Sequence, residues 1–119
     1  MEEEKIRKYV FNELSKLNLK KETKGFKYLC EAIYLSIINE NDLENLSNNV
    51  FQKIARKYHT NTPANVKWCM NRVIDTMYFN TRMKTLCEYF KMEKDQKSTL
   101  KFIIYFIVCK YYNENELSQ

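Results

Sequence analysis

The stretch Val50-Phe51-Gln52-Lys53-Ile54-Ala55-Arg56-Lys57-Tyr58-His59-Thr60-Asn61-Thr62-Pro63-Ala64-Asn65-Val66-Lys67-Trp68-Cys69-Met70-Asn71-Arg72-Val73-Ile74-Asp75-Thr76-Met77 decides how this chain reads. Val50, Phe51, Ile54, Ala55 and Tyr58 recur at helical spacing, with Lys53, Arg56 and Lys57 on the wetter side, which predicts an amphipathic and basic helix. His59-Thr60-Asn61 breaks that pattern with residues that favour turns through local side-chain hydrogen bonds. Thr62 then suits an N-cap, its hydroxyl accepting from an otherwise unpaired helix N–H, and Pro63 supplies a preset φ with no donor to lose. Two helices joined by a short turn follow, a helix-turn-helix over about residues 49–78.

In the second of these helices Val66, Cys69, Met70, Val73 and Met77 gather on one side at about 100° per residue, with Ile74 at the edge. That side is the packing face. The opposite face carries Ala64, Trp68, Asn71 and Asp75, flanked by Asn65, Lys67 and Arg72. A helix that enters the major groove needs such a polar surface near its N-terminus: Asn pairs bidentately with adenine, Arg with guanine, and Ala touches a thymine methyl. Ala64, Asn65, Lys67, Trp68, Asn71 and Arg72 are therefore the candidate base-reading residues, with Lys53, Arg56, Lys57, His59 and Thr62 placed near phosphates. An ordinary solvated helix face is the alternative. Trp68 favours a binding role, because a large aromatic opposite the packing stripe is expected to meet a partner or another helix of the same domain rather than stand in water.

Outward from this unit the chain reads as helices throughout. Ile6, Tyr9, Val10, Leu14 and Leu17 mark a first helix; Leu29, Ile33, Tyr34 and Ile37 a second, entered at Gly25; Leu43 and Leu46 suggest a short third. Beyond it, Met83, Leu86, Cys87 and Phe90 describe another short helix, and a charged connection from Lys91 to Lys97 leads to a final segment capped at Ser98, Leu100 to Tyr112. With 45% hydrophobic residues, 14% aromatic, one Gly and one Pro, the chain fills one core but lacks the turn residues of an all-β fold. The expectation is a single all-α domain over residues 1–119, a compact bundle of about six helices.

The run Phe102 to Cys109 is apolar without a break, yet its eight residues fall well short of the roughly 20 that cross a bilayer. The charged N-terminus is no signal peptide either. No membrane association is expected, and a cytoplasmic location is. A helix apolar on all sides must be covered on all sides, either within the domain or by a second copy, with Tyr105, Tyr111 and Tyr112 as candidate dimer contacts.

Charge points the same way. Twenty Lys and Arg stand against 15 Asp and Glu, a formal +5, which makes attraction to phosphate plausible and modest. Lys53, Arg56, Lys57, Lys67, Arg72, Arg82 and Lys84 lie in or just after the helix pair, whereas Glu2, Glu3, Glu4, Glu114 and Glu116 lie at the ends. Cys30, Cys69, Cys87 and Cys109 form no Cys-x-x-Cys pair and read as reduced core residues. With His59 the only histidine, no metal site, no cofactor and no small-molecule substrate is expected. The sequence spacing of carboxylates such as Glu31 and Asp75 does not suggest an acid/base pair, and no glycine-rich phosphate loop exists, so an enzyme is not expected.

The run Lys24-Gly25-Phe26-Lys27-Tyr28-Leu29-Cys30-Glu31-Ala32-Ile33 resembles the opening of the C-terminal effector domain of the sporulation-initiation response regulator, the stage-zero sporulation protein A family. The resemblance continues through Val50 to Tyr58, the Thr62 cap, Val66 and Ile74, and more loosely through Leu86 and Phe90 to the last helix. It implies an all-helical domain of roughly six helices that binds DNA through the helix starting at Thr62, often as paired copies on tandem sites. In the family this domain follows a phosphorylatable receiver domain, for which about 120 residues leave no room. The family also concentrates basic side chains and one acidic side chain at the positions of Asn65, Lys67, Trp68, Asn71 and Arg72; here only Lys67 and Arg72 are basic, and Lys67 stands at the acidic position. Replacing Arg by Asn or Trp changes the bases preferred, so an altered target site is expected.

Two readings follow. One is a sequence-specific regulator of transcription on double-stranded DNA. The other is a protein-interaction module or antagonist that pairs with a full-length sporulation regulator through the last helix and has lost DNA affinity through Trp68; a homodimer is the further possible partner.

Overall fold

The computed structural model describes residues 2–59, 62–92 and 99–117, with residues 116 and 117 described by backbone alone. Six α-helices follow in chain order: α1 (Glu2–Ser15), α2 (Lys24–Ile38), α3 (Gln52–Lys57), α4 (Pro63–Asn80), α5 (Met83–Phe90) and α6 (Leu100–Leu117). No strand occurs among the described residues, and the fold is all-α. Between α2 and α3 the expected short third helix is instead a 3-10 turn, Glu40–Asn45, running into a π-helical turn, Leu46–Phe51. Side chains favour this irregular path: Asn39 Oδ1 accepts from the Asn41 N–H and Asn45 Oδ1 from the Asn48 N–H, so each turn is opened by an asparagine cap.

α2 is the hub. It packs against α1, α4 and α6 and touches α3, and its side chains are buried nearly all round: Phe26, Tyr28, Leu29, Ala32, Ile33, Tyr34 and Ile37 all lie in the core. Thr23 caps it, the hydroxyl accepting from the Phe26 N–H at 3.2 Å, so α2 begins at Lys24, one residue ahead of the start expected at Gly25. Gly25 sits where α2 crosses α4. A methyl group there would overlap the Cys69 carbonyl oxygen and the Val73 side chain, so the two backbones meet at a distance that only glycine allows.

The last helix is anchored on its inner side by Ile103, Ile104, Ile107 and Val108, while Phe102 remains 39% exposed and Cys109 is open to solvent. The unbroken apolar run is thus covered on one side by the fold itself. Phe90 of α5 meets Phe102 and Phe106 of α6 with ring centroids 5.6 and 5.1 Å apart, an aromatic seam that holds α5 on the bundle. Ser98, expected to cap α6, lies outside the described residues; Thr99 Oγ1 accepts from the Phe102 N–H at 3.2 Å.

Two buried carboxylates tie the helices together. Glu13 on α1 accepts from Lys16 (2.8 Å), Lys110 (2.5 Å) and the Tyr89 hydroxyl (2.8 Å), joining α1 to α5 and α6. Burial, the largest single influence, pushes its carboxyl up, but the bonds from Lys110, Lys16 and Tyr89 together hold it below the usual carboxylate range. The second carboxylate, Glu31, belongs to the candidate site.

The cysteines depart from the sequence reading. All four are free, but Cys30, Cys69 and Cys87 are half-buried and Cys109 is exposed, so none is a fully enclosed core residue. The stripes they belong to turn partly outward at the helix edges. Burial pushes the Cys30 thiol up to about 12, which keeps it protonated at neutral pH.

Candidate nucleic-acid interface

α3 and α4 lie within the stretch read as a helix pair, but α3 is shorter than the expected helix over residues 50–58 because Val50 and Phe51 belong to the π-helical turn before it; His59, just past α3, is in the left-handed region (φ 56°). Thr60 and Asn61, read as part of the turn, lie outside the described residues. Thr62, in extended conformation, accepts from the Asn65 N–H at 3.1 Å, and Pro63 occupies the first turn of α4, so the cap read from the sequence is the one formed. Val66, Met70, Val73, Ile74 and Met77 are buried, and Cys69 is half-buried beside them. Each fully buried aliphatic or methionine side chain of this stripe contributes about 1.5–3 kcal/mol, enough to fix the rotation of α4 about its axis.

That rotation leaves the other face bare. Ala64, Asn65, Lys67, Trp68 and Arg72 are exposed and Asn71 is half-buried, so the six candidate base-reading residues lie together on one outward surface in the first three turns. Trp68 is 57% exposed. The Arg72 guanidinium lies over its ring, 4.9 Å from the centroid, and Asn65 Oδ1 accepts a long contact from the Cys69 thiol at 3.8 Å. These contacts orient a flat aromatic and a forked donor side by side on the helix surface.

The candidate phosphate contacts behave unequally. Lys53 donates to Asp42 at 2.8 Å and Lys57 donates to Glu31 at 2.7 Å, so both ammonium groups have a carboxylate partner inside the protein while remaining half exposed. Arg56 and His59 are exposed, and Thr62 is exposed with its hydroxyl in the cap. Glu31 itself is buried, with a side chain 4% exposed. It accepts a two-pronged contact from Arg7 (3.0 and 3.2 Å) besides the bond from Lys57. Burial acts most strongly on its carboxyl and raises it, yet Arg7 and Lys57 together hold it below the usual carboxylate range. The sequence reading found no acid/base partner for Glu31; its actual partners are two cations, 24 residues before and 26 residues after it.

The hydroxyls of the three tyrosines expected at a dimer contact have partners within the domain. Tyr111 is 6% exposed, its ring edge-on to Tyr9 at 5.2 Å and its hydroxyl 3.4 Å from Glu2. Tyr105 donates to the Leu43 carbonyl at 2.7 Å, and Tyr112 donates to the Ile37 carbonyl. Its burial leaves Tyr111 little surface for the expected dimer contact. Tyr105 and Tyr112 are partly exposed, but the Tyr112 hydroxyl pins α6 to the end of α2 and the Tyr105 hydroxyl pins it to the 3-10 turn that follows.

Sequence reasoning passed over the start of α2 as part of this surface. Lys24 and Lys27 border a cleft of about 660 Å³ whose other walls are Tyr28, Tyr58, His59, Asn65, Trp68 and Cys69. On the far side of Trp68 a second cleft, about 240 Å³, runs between Lys20, Lys24, Arg72 and Thr76. The signal was present as four lysines between residues 20 and 27, but only the α2–α4 crossing at Gly25 brings them beside the reading face. Among the described residues no group of three or more His, Cys, Asp or Glu side chains is arranged to hold a metal ion, and no helix is long and apolar enough to cross a membrane.

Among the described residues six α-helices pack around α2, and α4, capped at Thr62, turns a polar face outward, so the class is an all-α domain that presents one polar helix at its surface. The family described as sporulation initiation factor Spo0A C terminal matches residues 10–110, and the chain belongs to that family. It is a DNA-binding effector-domain family of sporulation transcription regulation, with DNA as the general partner. No curated protein matches the chain significantly.

Proposed function

We propose that this chain is a sequence-specific regulator of transcription that places the N-terminal half of α4 in the major groove of double-stranded DNA. Ala64, Asn65, Lys67, Trp68, Asn71 and Arg72 read base edges, and Arg56, His59, Thr62, Lys53 and Lys57 approach phosphates. The single observation that carries this reading is the outward face of α4: Asn65, Lys67, Trp68 and Arg72 are all exposed on a helix whose opposite side is locked in the core. Two amide side chains and a tryptophan stand where the resembling family concentrates basic groups, so the site read differs from the family's own.

Selection of binding sites from random duplexes tests both parts. Enrichment of a defined site other than the family's box is the expected result. Return of that box overturns the altered specificity, and absence of any enrichment at low salt overturns DNA reading itself. The competing reading, a module that pairs with a full-length regulator, draws on the exposure of Trp68. It requires that Trp68→Ala abolish a protein complex while the wild-type chain leaves DNA unbound at moderate salt.

A further inference from the structure

A helix lying in the major groove is bordered by two phosphate-bearing strands, and the protein must meet each of them with positive charge or leave it solvated. Two of the cations on the α3 side, Lys53 and Lys57, have their charge met internally by Asp42 and Glu31. The opposite situation holds at the start of α2. No ion pair among the described residues involves Lys20, Lys24 or Lys27, and all three are exposed. Glu22 is the one acidic residue between positions 20 and 27, and it lines neither cleft.

The two clefts share Lys24, Trp68 and Cys69, so they adjoin on either side of Trp68 as one interrupted channel, one part reaching to His59 and Lys27 and the other to Lys20 and Arg72. Its floor is formed where α2 and α4 touch at Gly25 and Val73, which fixes the lysines relative to the reading face. Lys24 and Lys27 are three residues apart on one helix and so lie on neighbouring turns of the same flank. A channel with an aromatic wall and uncompensated ammonium groups along one rim suits a polyanionic chain that runs past the ring.

We propose that Lys20, Lys24 and Lys27, on the rim beside Trp68, bind the sugar-phosphate backbone of the DNA strand flanking the groove that α4 enters. This rests on the function proposed above and adds a second strand contact to it. The contact carries no base information. It adds affinity and salt dependence, and it fixes the angle at which Trp68 and Arg72 meet the bases.

The test measures affinity for a short synthetic duplex across a range of salt concentrations for the wild type, Lys24→Gln, Lys27→Gln and the double variant. Removing one lysine–phosphate interaction should make the log–log salt slope shallower by about 0.9, and the double variant should make it shallower by about 1.8. Lys24→Arg should retain the wild-type slope, and Lys8→Gln, on the α1 face beside Tyr9 and Tyr111, should leave it unchanged. A wild type that binds with the same slope as the double variant overturns the proposal while leaving the proposed function standing. A wild type with no affinity for duplex at low salt overturns both. Because Lys24 and Lys27 are exposed, far-UV circular dichroism should show all variants folded; a double variant that binds weakly but keeps the full slope again counts against the backbone interaction.

Discussion

Lys57 Nζ lies 2.7 Å from Glu31 Oε1, joining the helix before the turn to the buried centre of α2, where Arg7 grips the same carboxylate. Glu31→Gln keeps the shape of the side chain and removes its charge, leaving two half-exposed cations short of a partner. A loss of about 1–3 kcal/mol at neutral pH is expected, read as a lower denaturant midpoint. The sign with pH follows from the lowered carboxyl. In the unfolded chain Glu31 protonates near about pH 4.3; in the folded protein it stays ionised to lower pH. Its stabilisation is therefore complete above that unfolded value and is lost as pH falls through the lower, folded one. Glu13, whose carboxyl is also held low, acts in the same sense. Glu31→Gln should flatten the acid limb and Glu13→Gln should flatten what remains; a Glu31→Gln profile parallel to the wild type's would refute the arrangement.

Gly25→Ala tests the α2–α4 crossing. Alanine gains up to about 1 kcal/mol of helix propensity over glycine. Its methyl, however, meets the Cys69 carbonyl oxygen and Val73, and a backbone carbonyl in the middle of α4 cannot swing aside as a flexible side chain would. Overpacking of this kind costs about 1–3 kcal/mol, or more where backbone must move. The net expectation is a melting temperature several degrees below wild type, together with weaker DNA binding because the rim of α2 shifts against the reading face. An alanine variant as stable as the parent would show that the helices do not approach so closely.

What the sequence disclosed and what it withheld divide along the range of the interaction. Thr62-Pro63 was legible because a cap is built from residues three apart, and Val66, Met70, Val73 and Met77 because a helix repeats its own face. The π-helical turn at Leu46–Phe51 was not, since its spacing of apolar residues imitates a short α-helix. Glu31 read as partnerless because its cations come from α1 and α3, and Tyr111 read as available because nothing local announced Tyr9 across from it. The lysines at 20, 24 and 27 looked like ordinary surface charge until the crossing at Gly25 set them beside Trp68.

Lys91 ends α5 in the left-handed region, φ 52° and ψ 48°, with its own N–H and that of Met92 both directed to the Cys87 carbonyl. A side chain in that conformation costs about 1–2 kcal/mol, and glycine returns about 0.5–1 kcal/mol of that as unfolded-chain entropy. Lys91→Gly should therefore stabilise the domain by about 0.5–1 kcal/mol. Lys91→Ala keeps the Cβ and should give no such gain. Equal stability of the two variants in urea titration would show that the strain is absent.

Trp68 is the only tryptophan in the chain, and its ring is 57% exposed beneath Arg72. Because it covers little of the core, Trp68→Ala should change stability by no more than about 0.5 kcal/mol. The same exposure makes the ring a reporter: free protein should emit as a solvated indole, and added duplex should quench it and shift the emission as bases or backbone replace water. Arg72→Ala removes the stacked cation along with a candidate bidentate contact worth about 1–3 kcal/mol of base discrimination. It should relax specificity at one position of the selected site, whereas Trp68→Ala should weaken binding with a different pattern of base preference. Emission from Trp68 that stays constant through a titration in which DNA binding is otherwise evident would place the duplex on another face of the domain.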